Sequence, residues 1–401
     1  MKITDIYIRR ISAECSTSGI RAFSDTSIVT ATDIYPDYVR HSSAARVVVT
    51  PFPDKDGRLV VTHDYLMIET DEGITGIVGP VTFPGVSYYI LNSIKYTLMG
   101  QDPMRIEYLQ DLMYRVGLDN GMGDYERAMS HAEAALWDIK CKKLGVPLYE
   151  LLGGKVRDCA PVYENIACVP HNEEMVRITK EFAEEGILGV KIYSKYGPAQ
   201  GKSGIRKTRE ILEKVRTGAG KDTLIALEGI CCWNYEYALE LGKAIADLDI
   251  AWLEEPSLPD RMDDYAQLVK NCPVPISAGE HSIRKWGFRK MMEMKAVNIY
   301  QPEATWDGGI LETMKIITLA EAFNCKVYPH GCVPNLGAHI MAATSPEVCP
   351  MTEYILNIND AAQYFMKYPT KPVHGMVMPP EVPGIGCDID ESKVEKSEIL
   401  A

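Results

Sequence analysis

The chain lacks any apolar run long enough to span a bilayer among its 401 residues. Its first residues, MKITDIYIRRISAEC, scatter charges throughout and contain no apolar h-region, so a secretory signal is not expected. A disulfide framework is missing too. Of the eleven cysteines only Cys231 and Cys232 are adjacent, no CxxC spacing occurs, and most sit in apolar runs. That usage fits reduced, buried thiols in a cytoplasmic protein. An excess of basic residues is absent, with 42 Lys+Arg against 55 Asp+Glu and a formal net charge of −13. Duplex binding rests on Lys and Arg neutralising phosphates, so a nucleic-acid role is excluded. An anionic small molecule is not, because a bound divalent cation resets the local charge. Short repeats, low-complexity tracts and coiled-coil heptads are also lacking. What remains is an ordinary globular composition, 46% hydrophobic and 24% charged, in a chain too long for one small domain.

What the chain does contain is a recurrence of acidic and imidazole side chains. Glu228, Glu254, Glu280, Glu303, His330 and Glu353 follow one another at 26, 26, 23, 27 and 23 residues. All but Glu353, which lies within its segment, close a short apolar run. The interval is that of one βα unit, a strand, a turn, a helix and a return loop. Parallel strands joined this way put their C-terminal ends on one side, so the six groups should converge on one cleft. Eight strands are expected, at Ala160–Ile166, Gly189–Tyr193, Thr223–Glu228, Ile250–Glu254, Val274–Ala278, Val297–Gln301, Lys326–Tyr328 and Met351–Leu356. Eight close a barrel. The fold class read from this is α/β, a TIM-type barrel over residues 126–357 behind an α+β capping domain over 1–125.

In the cap, residues 2–12, Leu59–Thr70 and Gly73–Val78 read as a small antiparallel sheet with Asp71-Glu72-Gly73 as its turn. Helices are expected around 85–99, 103–117 and 124–144, the last stopped by Gly145 and Pro147. His131 on that helix reads as structural. The polar, irregular stretch 24–50 carries Asp37, Arg40 and His41 and reads as a lid over the cleft, with Arg40 and His41 as substrate contacts. The Pro-rich tail from 358 should run back to the cap.

Glu228, Glu254 and Glu280 close three consecutive strands and should be neighbours. Three carboxylates at close range raise one another's pKa, and a divalent ion relieves the repulsion. Oxygen ligands without Cys or His favour Mg2+. Glu303 and His330 close the next two strands, which would bring a carboxylate to an imidazole and make His330 a base. Lys191 and Tyr193 share a face of the second strand, on the opposite rim, with Lys191 either a base or a cationic stabiliser. His281 follows Glu280 and is placed to reach a leaving hydroxyl. Glu353 faces the metal site and, if neutral, could hydrogen-bond an enediolate. A cation opposite a histidine base suits removal of a proton beside a carboxylate, a pattern the enolase superfamily uses.

With these residues in place the chain resembles the mandelate racemase/muconate lactonizing enzyme branch of the enolase superfamily over essentially its full length. ALWDIKCKKLGVPLYELLGG (135–154) looks like that superfamily's junction of cap and barrel. SKYGPAQGKSGIRK, WLEEP, GEH, WGFRKMMEM, QPEATWDGG and VYPHG are most similar to L-rhamnonate dehydratases. The resemblance implies metal ligands at Glu228, Glu254 and Glu280 and a catalytic dyad at His330 and Glu303. It also implies a homo-oligomer, with an octamer among the expected assemblies. Two positions depart from the family, which usually has Asp where Glu228 and Glu303 stand. The Lys-x-Lys of its racemases is here Lys191 and Tyr193. The expected activity is Mg2+-dependent dehydration of an acid sugar such as L-rhamnonate. The alternatives are a racemase, epimerase or cycloisomerase, and a barrel that binds a sugar acid without turnover.

Overall fold

The computed structural model describes residues 1–15, 29–35, 52–53, 55–56, 58–121, 123–167 and 169–401. The cap is built on an antiparallel sheet in the order Lys396–Leu400, Ile3–Glu14, Leu59–Thr70, Phe52–Pro53, with Thr75–Val78 also paired to Leu59–Thr70. Strand alternation sorts its side chains onto two faces. Ile6, Ile8, Leu66 and Ile68 pack on one side against the cap helices, while Ile11, Tyr65 and Met67 meet Ala361 and Phe365 of the C-terminal segment. The expected turn at residues 71–73 is present, with Gly73 at φ +73° where a Cβ would be strained.

Helix Asp124–Leu144 ends as its sequence dictates. Gly145 adopts φ +71°, and Val146 N–H returns to the Cys141 carbonyl at 3.1 Å. The helix is buried almost all round because it lies between the cap sheet and the barrel. Its buried Asp138 accepts from Ile77 N–H and from Ile385 N–H, each at 2.9 Å, joining cap, helix and tail.

Eight parallel strands follow, Ala160–Asn165, Gly189–Tyr193, Leu224–Glu228, Trp252–Glu254, Ile276–Ala278, Ile299–Tyr300, Lys326–Val327 and Thr352–Ile355. They are neighbours in chain order, and the eighth pairs with the first through Ile355 and Asn165. Glu353 N–H donates to the Pro329 carbonyl at 3.2 Å, linking the seventh segment to the eighth. Each strand is followed by a helix on the outside, the (β/α) barrel pattern. Inside, Tyr163, Ala226, Trp252, Ile299 and Met351 form an apolar floor, Tyr163 and Trp252 meeting edge to face at 5.1 Å. Two residues further along their strands, on the same face, stand Asn165, Glu228, Glu254 and Glu353.

Among the described residues no helix is long and apolar enough to cross a membrane. The ten described cysteines are all free thiols.

Candidate active site

The strand ends above the apolar floor carry a dense set of ionisable groups. Register pairs Glu228 with Glu254 directly. Glu228, Glu254 and Glu280 bring carboxylate oxygens within 4.8 Å of one another. Glu254, fully buried, is fixed from below by Trp252 Nε1–H at 2.9 Å and Gln301 Nε2–H at 2.7 Å. Glu228 accepts from Ile230 N–H at 2.7 Å. Burial, then the charge of Glu254, pushes the Glu228 carboxyl well above the usual range. Burial likewise raises Glu280, against the pull of His330. A donor set made wholly of carboxylate oxygen, in a pocket that penalises their joint ionisation, fits a hard divalent cation of the Mg2+ kind.

Lys191 stands on the second strand, four strands round the barrel from the segment that Glu303 follows. Its strand is adjacent to that of Glu228, and its fully buried ammonium lies 2.8 Å from Glu353 and 3.3 Å from Glu228. It also pairs with Glu254. Burial opposes its charge, but Glu254, Glu353 and Glu228 outweigh that and hold it well above the ordinary lysine value. Through these three contacts Lys191 is held as a cation. Glu353 is ionised for the reciprocal reason. Burial raises it, yet Lys191 and His330 bring it below the normal carboxylate range. It also accepts from Asn165 Nδ2–H at 2.7 Å.

The expected imidazole–carboxylate contact is present. His330 Nδ1 lies 2.9 Å from Glu303 Oε2. Glu303 is itself clamped by Cys332 N–H, Thr305 N–H and Thr305 Oγ1–H at 2.8–2.9 Å. With Nδ1 committed to Glu303, Nε2 faces the cleft, 3.2 Å from Glu280 and 3.5 Å from Glu353. Trp306 covers the imidazole at 5.2 Å between ring centroids. Burial disfavours the imidazolium, but Glu280, Cys332 and Glu353 together raise His330 well above its ordinary value.

His281 sits at the mouth with its side chain 36% exposed, its Nδ1 2.8 Å from Glu255. Burial lowers its pKa, and Glu255 more than reverses this, to about 9. Tyr193 accepts from Asn165 Nδ2–H at 3.1 Å, with its ring 6.0 Å from the Lys191 ammonium. Arg40 and His41 lie outside the described residues. His131 is structural, bonded through Nδ1 to the Arg127 carbonyl at 2.8 Å.

Sequence reasoning passed over Asn165, Gln301, Thr305 and Trp306. Asn165 ends the first strand and Gln301 follows the sixth. Strand-end position, the signal used for the glutamates, would have found both. Thr305 and Trp306 lie inside QPEATWDGG, where loop curvature alone places them.

Several known proteins share this architecture. The chain is 30% identical over 379 residues to an L-rhamnonate dehydratase of Saccharopolyspora erythraea, covering 91% of this chain and 90% of that protein. It is 31% identical over 340 residues to an arabinonate dehydratase of Saccharolobus solfataricus, covering 82% and 88%. The crystal structure of rhamnonate dehydratase from Gibberella zeae complexed with Mg is 26% identical and matches with a TM-score of 0.82, covering 98% and 96%. Residues 57–153 match the mandelate racemase/muconate lactonizing enzyme N-terminal domain, and residues 174–393 match the enolase C-terminal domain-like family. By these matches, and by the capped barrel and its ring of carboxylates, the chain belongs to the mandelate racemase/muconate lactonizing enzyme branch of the enolase superfamily.

Proposed function

We propose that the protein dehydrates an acid sugar, an aldonate of the L-rhamnonate or arabinonate type, to a 2-keto-3-deoxy acid. The observation that carries this reading is the His330–Glu303 dyad at 2.9 Å with Nε2 turned toward the carboxylate triad. Glu228, Glu254 and Glu280 would hold Mg2+. When bound, the ion supplies Lewis-acid stabilisation for charge developing on the substrate carboxylate.

The chain's own residues account for the proton movements. His330 Nε2 removes the C2 proton, and Glu303 keeps the tautomer that leaves Nε2 free to do so. Elimination needs a proton on the departing 3-hydroxyl so that it leaves as water. His281, charged near neutrality beside Glu255, is positioned at the mouth to give it. The resulting enol becomes the 2-keto acid by tautomerisation. Lys191 supplies fixed positive charge within the ring, and Glu353 and Asn165 orient it and Tyr193.

Two-base racemisation finds no support in this arrangement. Its second base would be Lys191, whose ammonium is tied to Glu228, Glu254 and Glu353. The experiment is a panel of acid sugars incubated with protein and Mg2+ and scored for 2-keto acid, with His330→Ala in parallel. Wild type should yield product, and His330→Ala should lose it while still binding Mg2+. Undiminished turnover in that variant, or no keto acid from any aldonate, refutes the assignment.

A further inference from the structure

We propose that Cys231, Glu255 and His281 form a second cation site, beside the carboxylate triad, with His281 Nδ1 3.8 Å from Glu280, and selective for a thiophilic divalent metal of the Zn2+ class. The three follow three consecutive barrel strands, so they are neighbours around the rim. Cys231 Sγ lies 3.3 Å from Glu255 Oε2, and His281 Nδ1 lies 2.8 Å from the same oxygen. One ligand atom from each falls within 4.8 Å of the others.

The backbone is bent to bring them together. Ile230, Cys231 and Glu255 hold φ values of +44°, +54° and +39°, a region that side-chain-bearing residues seldom adopt. Cys231 N–H to the Glu255 carbonyl at 2.8 Å, and Glu255 N–H to the Ser277 carbonyl at 3.0 Å, keep them there. The result is that Glu254 turns toward the triad while Glu255, its neighbour in sequence, turns away toward Cys231 and His281.

Donor chemistry separates the two sites. Three carboxylates suit a hard ion such as Mg2+, whereas thiolate, imidazole and carboxylate together suit Zn2+ or Co2+. Three protein ligands leave an open coordination position, and the half-exposed His281 gives access from the cleft. A metal there would take the His281 Nδ1 lone pair and withdraw that imidazole from proton delivery. This inhibitory consequence rests on the function proposed above, but the site itself does not. In its absence the same three groups are a hydrogen-bonded prop for His281, and the test separates the two possibilities.

The intact protein, saturated with Mg2+ and kept reduced by a non-thiol reductant, is titrated with Co2+. Expected is a thiolate-to-cobalt charge-transfer band in the near ultraviolet that saturates at one equivalent per chain and is displaced by Zn2+. Cys231→Ser should abolish the band and weaken Co2+ binding by at least about tenfold. Cys332→Ser, which alters the thiol beside the His330 dyad, should keep it. A wild-type protein without the band overturns the proposal, and so does a band that survives Cys231→Ser. If the protein turns out to dehydrate no acid sugar, this absorption readout is unaffected.

Discussion

Replacing Lys191 by methionine should make the protein's stability depend on a divalent cation. The ammonium is fully buried and faces Glu353 at 2.8 Å and Glu228 at 3.3 Å, with Glu254 as its third partner. At an effective dielectric of about 20, each such pair gains roughly 5–6 kcal/mol, so the gross attraction is of order 15 kcal/mol. Desolvation of the lysine and the carboxylates cancels most of that. The net cost of removing one partner from a buried ion group is nearer 3–5 kcal/mol, because the remaining charges are left uncompensated. Methionine matches the aliphatic stem, so packing contributes little to the loss. With that positive group gone, the ring should bind Mg2+ more tightly, and ion at about a hundredfold its Kd returns about 2.7 kcal/mol. The assay is urea unfolding of wild type and Lys191→Met in EDTA and in excess Mg2+. The expected result is a large loss in EDTA that Mg2+ mostly reverses. Equal stability of the two proteins in EDTA, or a loss that Mg2+ leaves untouched, refutes the electrostatic account.

Glu303→Gln keeps the size of the side chain but removes the charge that supports His330. It should lower kcat by about 10²-fold with Mg2+ binding unchanged by calorimetry, and a change in metal affinity instead of rate would contradict the dyad. Gly279→Ala places a Cβ at φ +152°, 2.7 Å from the Gln301 backbone nitrogen, and should destabilise the fold by roughly 1–3 kcal/mol in denaturant. Normal stability there would show that the strand ends can move apart. His339 is buried against Tyr149, and burial lowers its pKa to about 3. The unfolded chain therefore binds the proton more readily between that value and about 6.5. Stability is complete above the upper limit and should fall by at most about 1.4 kcal/mol per pH unit as pH drops through the window. His339→Gln should flatten that slope in unfolding curves taken at successive pH values, and an unchanged slope would assign it to other groups.

The strand–helix recurrence was legible because strand ends, metal-ligand chemistry and chain interval all carried the same phase. Gly189–Tyr193 falls where the sequence put it, and Leu224–Glu228 begins one residue later. The dyad was legible for the same reason, since Glu303 and His330 close adjacent segments. The position of Lys191 was not, because sequence gives the rim order but not the direction of a long side chain. A buried ammonium swings to whichever carboxylates are nearest, and here those are Glu228, Glu254 and Glu353. The helix expected around 85–99 runs from Pro84 to Leu98 and contains a π turn over Ile90–Ile94, a local widening that leaves no composition signal. The last strand, Lys396–Leu400, is an exposed edge with little apolar alternation, so the sequence marked only a returning tail.

That last strand has a consequence for biosynthesis. Ile8 pairs with Leu400, so one strand of the cap sheet is made before the whole barrel and its neighbour after it. The hairpin that forms early must wait, one flank open, while the whole barrel is translated, some tens of seconds at about 5–20 residues per second. For that interval Ile8–Ser12 of the strand Ile3–Glu14 presents an open edge to solvent or to a neighbouring nascent chain. The closing strand thus acts as a seal applied after the barrel has been made, covering the flank of Ile3–Glu14 on which a second chain could otherwise pair.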